Sequence, residues 1–172
     1  MFERYTEKAR RVIFFAKYEA STLGSPYVEP EHLLLGMIRE DKDFVAQLLP
    51  GKREALDQRI REGAEARERI ATSVDLPLSR AARHCLAYAA EEAERMAHKN
   101  IGVPHLLMGL LREESRAKSI LEDFGVNLDA ARNAVLRGTT DPVQLFYALQ
   151  SRFTPLTLRL RPENEPAFTF LP

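Results

Sequence analysis

The stretch Glu31-His32-Leu33-Leu34-Leu35-Gly36-Met37-Ile38-Arg39-Glu40 has an echo 73 positions later, His105-Leu106-Leu107-Met108-Gly109-Leu110-Leu111-Arg112-Glu113. Working outward from it, segment 6–41 lies on segment 79–114 without a gap, and 11 of the 36 positions are identical. The pairs outside the stretch itself include Ala9/Ala82, Arg10/Arg83, Ala16/Ala89, Glu19/Glu92 and Ala20/Ala93. Ordinary composition would give roughly two identities over such a window. Thr6/Ser79, Ile13/Leu86, Phe15/Tyr88 and Val28/Ile101 keep their chemistry as well. The chain is an internal duplication, and a duplication of this length points to two copies of one supersecondary unit.

Within each copy the apolar spacing is helical. Thr6 reads as an N-cap, its hydroxyl placed to accept from a first-turn amide. Behind it Ala9, Val12, Ile13, Ala16, Ala20 and Leu23 follow three- and four-residue steps, until Gly24-Ser25-Pro26 ends the helix. A short second helix runs from Glu31 to Arg39 with Pro30 near its first turn, where a missing amide costs little. A third covers Phe44 to Leu49 before Pro50-Gly51, and a fourth about 53–64. The second copy repeats the series as Ser79–His98, Pro104–Leu111, Ala117–Phe124 and Leu128–Leu136. Nothing in 1–137 alternates as a strand. The expected fold is all-α: two pseudo-symmetric four-helix repeats, about 1–64 and 75–137, packed as one bundle around a shared core. Residues 65–77 connect them. Residues 138–172 read as a C-terminal extension, with a short helix from Val143 to Arg152 and then either a hairpin around Pro162–Pro166 or a Pro-rich disordered tail.

Composition narrows the function. Lys+Arg and Asp+Glu are each 25, so the formal charge is zero. Non-specific nucleic-acid binding wants a basic stripe, so no nucleic-acid partner is expected. The start Met1-Phe2-Glu3-Arg4 is too charged for a signal peptide, and no apolar run is long enough to span a bilayer. The cytoplasm and no membrane partner are therefore expected. The single cysteine, Cys85, sits with Ala82, Leu86 and Ala89 on one helix face and reads as an inert core thiol.

The phosphate-cradling, dinucleotide-binding and nucleophile-elbow motifs are all absent, so no cofactor and no catalysis are expected. The histidines His32, His84, His98 and His105 lack metal-ligand spacing, and no metal is expected. His32 and His105 occupy equivalent positions, which suits two structural copies, with a symmetric dyad as the alternative. Glu31 begins the second helix, either as an ordinary acid favoured by the dipole or as a carboxylate placed to hold a cation. Arg39-Glu40 and Arg112-Glu113 read as solvated helix ends, and the run from Arg61 to Arg69 as a solvated face.

Tyr5-Thr6-Glu7-Lys8-Ala9-Arg10-Arg11-Val12-Ile13 followed by Glu31–Glu40 resembles the Clp N-terminal (Clp repeat) domain, with ClpC the nearest in character. The second copy shows the same pair of motifs as Ser79–Arg83 and His105–Glu113. The resemblance covers about 1–137. It implies eight helices in two repeats, and a non-catalytic module that binds adaptors, substrate proteins or Clp subunits for an ATP-driven unfoldase and its protease. No ATPase motif follows, so a stand-alone Clp N domain is expected. A ligand-sensing regulator that reuses the fold outside proteolysis is the alternative. In ClpC-type domains of Gram-positive bacteria, a glutamate before the histidine takes the guanidinium of a phosphorylated arginine, and the threonine starting the first helix takes the phosphate. Carried over, Thr6 and Glu31 form that site in repeat one. Ser79 marks a degenerate second site, because Pro104 stands where the glutamate should be. Glu29-Pro30 also departs from the family's Gly-Thr and adds a charge that disfavours phosphate.

Overall fold

A computed structural model describes residues 2–65 and 67–136, so the readings made for 138–172 lie outside the described residues. Its helices are α1 (Glu7–Thr22), α2 (Pro30–Glu40), α3 (Lys42–Leu48), α4 (Arg53–Arg61), α5 (Arg80–Arg95), α6 (Val103–Arg112), α7 (Arg116–Asp123) and α8 (Leu128–Leu136). Over the described residues the protein is all-α, two pseudo-symmetric four-helix repeats. Among the described residues no helix is long and apolar enough to cross a membrane.

Local chemistry sets the helix ends. Thr6 and Ser79 cap α1 and α5, each oxygen accepting from the amide three residues on (3.2 and 3.1 Å). Asp41 and Ser115 do the same for α3 and α7. At the other end of α1, Gly24 takes φ +68°, and its echo Ala97 takes φ 55°. Both stop the helix with a left-handed residue, and the following amides bond back to Ala20 and Ala93. This turn ends α5 at Arg95, three residues short of the His98 expected from the sequence. Likewise α4 ends at Arg61, before Gly63.

The core is centred on α2 and α6. In α2 every residue from His32 to Ile38 is buried, and in α6 every residue from His105 to Leu111. Helices apolar on all sides belong at the centre of a bundle. α1 packs on α2 and α5 on α6, and both approaches are close because of one glycine each. A methyl on Gly36 would lie 2.9 Å from the Ala16 nitrogen and closer still to the Val12 carbonyl oxygen. A methyl on Gly109 would meet the Cys85 carbonyl in the same way. The identity of this glycine in both copies is thus a backbone-to-backbone contact. Leu34 is 1% exposed, as its place on the apolar face requires.

The repeats are not side by side but crossed. Tyr5 bridges Ile101 and Val28 bridges Leu78. Since 5 and 28 are equivalent to 78 and 101, these are one contact seen twice. The Thr6 amide donates to the Ile101 carbonyl (2.9 Å) and the Ile101 amide to Arg4 (2.8 Å). Ser79 donates to Val28 (2.9 Å) and Val28 to Pro77 (2.8 Å). The entry to the first helix of each repeat is therefore fastened to the loop before the second helix of the other.

Candidate functional site

The crossing decides which residues meet at the starts of α2 and α6. Thr6 lies beside Ile101 and Gly102, at the start of α6. Ser79 lies beside Val28, at the approach to α2, where Glu29 and Glu31 stand. None of the described contacts brings Thr6 to Glu31. By backbone contact Ser79 adjoins the approach to α2 and Thr6 the approach to α6, and none of the described contacts joins either hydroxyl to Glu31. Both oxygens accept a helix amide, which leaves each hydroxyl proton free to donate.

Neither α2 nor α6 has a capping side chain before it. Instead the third helical residue reaches back. His32 Nδ1 accepts from the Glu29 amide and His105 Nδ1 from the Gly102 amide, both at 2.9 Å. These acceptor roles put the ring proton on Nε2 in each case. Burial pushes both imidazoles down to about 4, with the nearby His98 adding to the effect at His105 and the glutamates Glu19 and Glu92 opposing it. The pair are structural caps in two copies. His105 Nε2 meets His98 Nδ1 at 2.8 Å, so the dyad it forms is with His98 and not with His32.

Glu31 is half-buried and lines a cavity of about 270 Å³ with Glu29, His32, Leu35, Ile60 and Arg116. Desolvation raises its carboxyl above the ordinary range, although its own amide and the Arg116 charge pull the other way and Glu29 adds to the rise. Among the described residues no cation lies within 4.0 Å of that carboxylate. Arg116 is engaged elsewhere, donating to the carbonyls of Ile60 (3.0 Å) and Arg59 (2.9 Å). It caps the end of α4 from the other repeat and lies against Gly63.

Sequence reasoning missed a second feature. Glu19 and Glu92 are buried, and each is clamped by two arginines. Arg39 and Arg61 hold Glu19 at 3.3 and 3.0 Å, and Arg112 and Arg132 hold Glu92 at 2.9 and 2.6 Å. Arg39 lies over the Phe15 and Tyr18 rings and Arg112 over Tyr88. Arg39 and Arg112 are therefore not merely solvated ends, and Arg61 is not part of a solvated face. Glu40 is bound to Arg11 at 2.6 Å. The identities Glu19/Glu92 and Arg39/Arg112 carried the signal. Cys85 is buried, and desolvation, with Glu113 and Glu31 adding to it, pushes its thiol up to about 12. That is the chemistry of an inert core residue.

A model of the Clp repeat (R) N-terminal domain matches residues 4–77 and again 77–156, two matches that begin 73 residues apart. An ATP-dependent Clp protease ATP-binding subunit ClpA homolog of Porphyra purpurea is 39% identical over 140 residues, 80% of this chain and 17% of that protein. Chaperone protein ClpC1, chloroplastic, of Arabidopsis thaliana is also 39% identical over 140 residues, 80% of this chain and 15% of that one. The chain thus spans less than a fifth of these relatives' length. Among solved structures, the N-terminal domain of the caseinolytic protease associated chaperone ClpD from Arabidopsis thaliana is 29% identical with a TM-score of 0.61, covering 90% of this chain and 97% of that one. The Hsp104 N-terminal domain from Candida albicans, 22% identical, shares the fold with a TM-score of 0.64 over 80% of this chain and 94% of that one.

Proposed function

The chain belongs to the Clp repeat (R) N-terminal domain family, a module of Clp ATPases in the chaperone/protease system, and from that premise we propose that it is a non-catalytic protein-binding module that takes a cationic side chain of an adaptor, substrate or Clp subunit at Glu31. The observation that carries this reading is the half-buried Glu31 carboxylate with no cation within 4.0 Å among the described residues. Charge-assisted pairing with a guanidinium would offset the desolvation that now raises its pKa. For a phosphorylated arginine the crossed geometry favours Ser79 as the hydroxyl donor, in place of Thr6. Pro104 offers no carboxylate, so the equivalent site at Thr6 is silent. The two imidazoles argue against acid–base catalysis, since each is held neutral and occupied as a cap.

Titration calorimetry with phosphoarginine and with arginine amide tests the reading. Glu31→Gln should abolish binding of both. Ser79→Ala should weaken phosphoarginine alone, and Thr6→Ala should change neither. Absence of heat for both ligands with the unsubstituted protein would refute the assignment, as would equal binding by Glu31→Gln.

A further inference from the structure

The two glutamate clamps are equivalent, but their surroundings are not. Around Glu19 four cations, Arg39, Lys42, Arg53 and Arg61, line a depression of about 230 Å³ together with two anions, Glu19 and Asp57. The clamp accounts for Arg39 and Arg61, which are matched by Glu19 and by the Arg61–Asp57 pair at 2.7 Å. Lys42 and Arg53 are surplus to it. Among the described residues Lys42, which is exposed, has no partner and Arg53 pairs only with its neighbour Glu54. In the second repeat Ser115 stands 73 residues on from Lys42, and α8 starts with Leu128 where α4 starts with Arg53, so these two cations exist in one copy alone. The clamp needs neither residue, since it forms around Glu92 without them.

The cations come from three elements: Arg39 from the end of α2, Lys42 from the start of α3 and Arg53 from the start of α4. Arg39 uses one nitrogen on Glu19, and stacking at 4.8 and 4.4 Å over Phe15 and Tyr18 holds its guanidinium flat. Cations spread around an open rim suit several carboxylates along a chain better than one compact anion. We propose that this depression binds an acidic peptide segment of a protein partner, with carboxylates seated on Lys42, Arg53 and Arg39. The site is opposite in charge to Glu31 and independent of the reading given for that residue.

The test is fluorescence anisotropy of a labelled, end-capped hexaglutamate peptide with the full chain. Saturable binding is expected that weakens as salt is raised. Lys42→Glu/Arg53→Glu should weaken it at least tenfold, Lys42→Gln/Arg53→Gln should weaken it less, and Lys42→Arg/Arg53→Lys should preserve it. Circular dichroism checks that each variant is folded. The control Arg80→Glu/Arg83→Glu, with the same charge change on exposed residues of α5, should bind like the unsubstituted protein. No binding, or equal loss in the control, overturns the proposal. Displacement by inorganic phosphate, but not by chloride at matched ionic strength, also overturns it in favour of a compact oxyanion. Each outcome is independent of Glu31→Gln, which should leave the peptide bound.

Discussion

Gly36→Ala places two known effects in opposition. In an exposed helix the change would stabilise by about 1 kcal/mol, because alanine is the better helix former. Here the new methyl would sit 2.9 Å from the Ala16 nitrogen and nearer still to the Val12 carbonyl oxygen. Both atoms are backbone of α1, so no side chain can swing aside. The helices must part by about 1 Å to restore normal contact, and gaps of that size forfeit roughly a quarter to a half of each affected dispersion contact. The seam that opens includes Ala9, Val12, Ile13, Ala16 and Ala20, all buried. Overpacking of this kind costs about 1–3 kcal/mol, and rigid backbone partners put this case at the upper end, so the net expectation is a loss of about 1–2 kcal/mol after the helix gain of about 1 kcal/mol. Urea denaturation followed at 222 nm should show a lower midpoint with an unchanged slope. Gly109→Ala should do the same through the Cys85 carbonyl. Gly51→Ala is the control, since nothing lies within 4 Å and only its φ of +67° resists. A Gly36→Ala midpoint at or above that of the unsubstituted protein would refute the reasoning.

Ala97→Gly should stabilise by about 1 kcal/mol, because Ala97 holds a left-handed φ of 55° where its echo is already glycine; an unchanged thermal midpoint would mean that the turn stores no strain. Glu92→Gln should destabilise by about 3 kcal/mol, leaving Arg112 and Arg132 without their buried counterion, and a loss under 1 kcal/mol in chemical denaturation would show that the clamp is dispensable. Acid should unfold the protein through His32 and His105. Their pKa values fall from 6.5 unfolded to about 4 folded, so the unfolded chain binds more protons, and stability, full above 6.5, is lost as pH falls towards 4. The drop is worth about 3 kcal/mol per imidazole. Glu92 adds to the loss at lower pH. Burial alone would raise its carboxyl, but the hydrogen bond from Arg132 and the charges of Arg132, Arg112 and Arg95 hold it below the ordinary range. Thermal midpoints flat between pH 7 and pH 4.5 would contradict the neutral capping role.

The helices were legible because burial writes itself into spacing. Ala9, Val12, Ile13 and Ala16 are buried as their three- and four-residue steps require, and Cys85 is as inert as its neighbours suggested. The repeated glycine was visible too, though not its reason, since a backbone contact between helices leaves no pattern beyond the missing side chain. The clamp was half legible. Glu19/Glu92 and Arg39/Arg112 keep the 73-residue step, but the second arginines, Arg61 and Arg132, stand 71 apart. The fourth helices therefore reach the same point in space from different registers, and an ungapped alignment cannot pair them.

How the two copies share the region of the candidate site was not legible, for a topological reason. A period shows that two copies exist and leaves open whether each completes its own site. The contact that settles this is a single backbone bridge on each side, Tyr5 to Ile101 and Val28 to Leu78, and backbone pairing constrains no side-chain type. Carried over within one copy, Thr6 and Glu31 looked like partners. The crossing hands Thr6 to the start of α6 and Ser79 to the start of α2. Each position of the proposed site would then depend on both repeats, so a change in one copy would disarm a site whose other half lies in its twin. In the site proposed above, Pro104 would silence Thr6, not Ser79, and the hydroxyl on the α2 side of the crossing is the one that sequence comparison alone had set aside as degenerate.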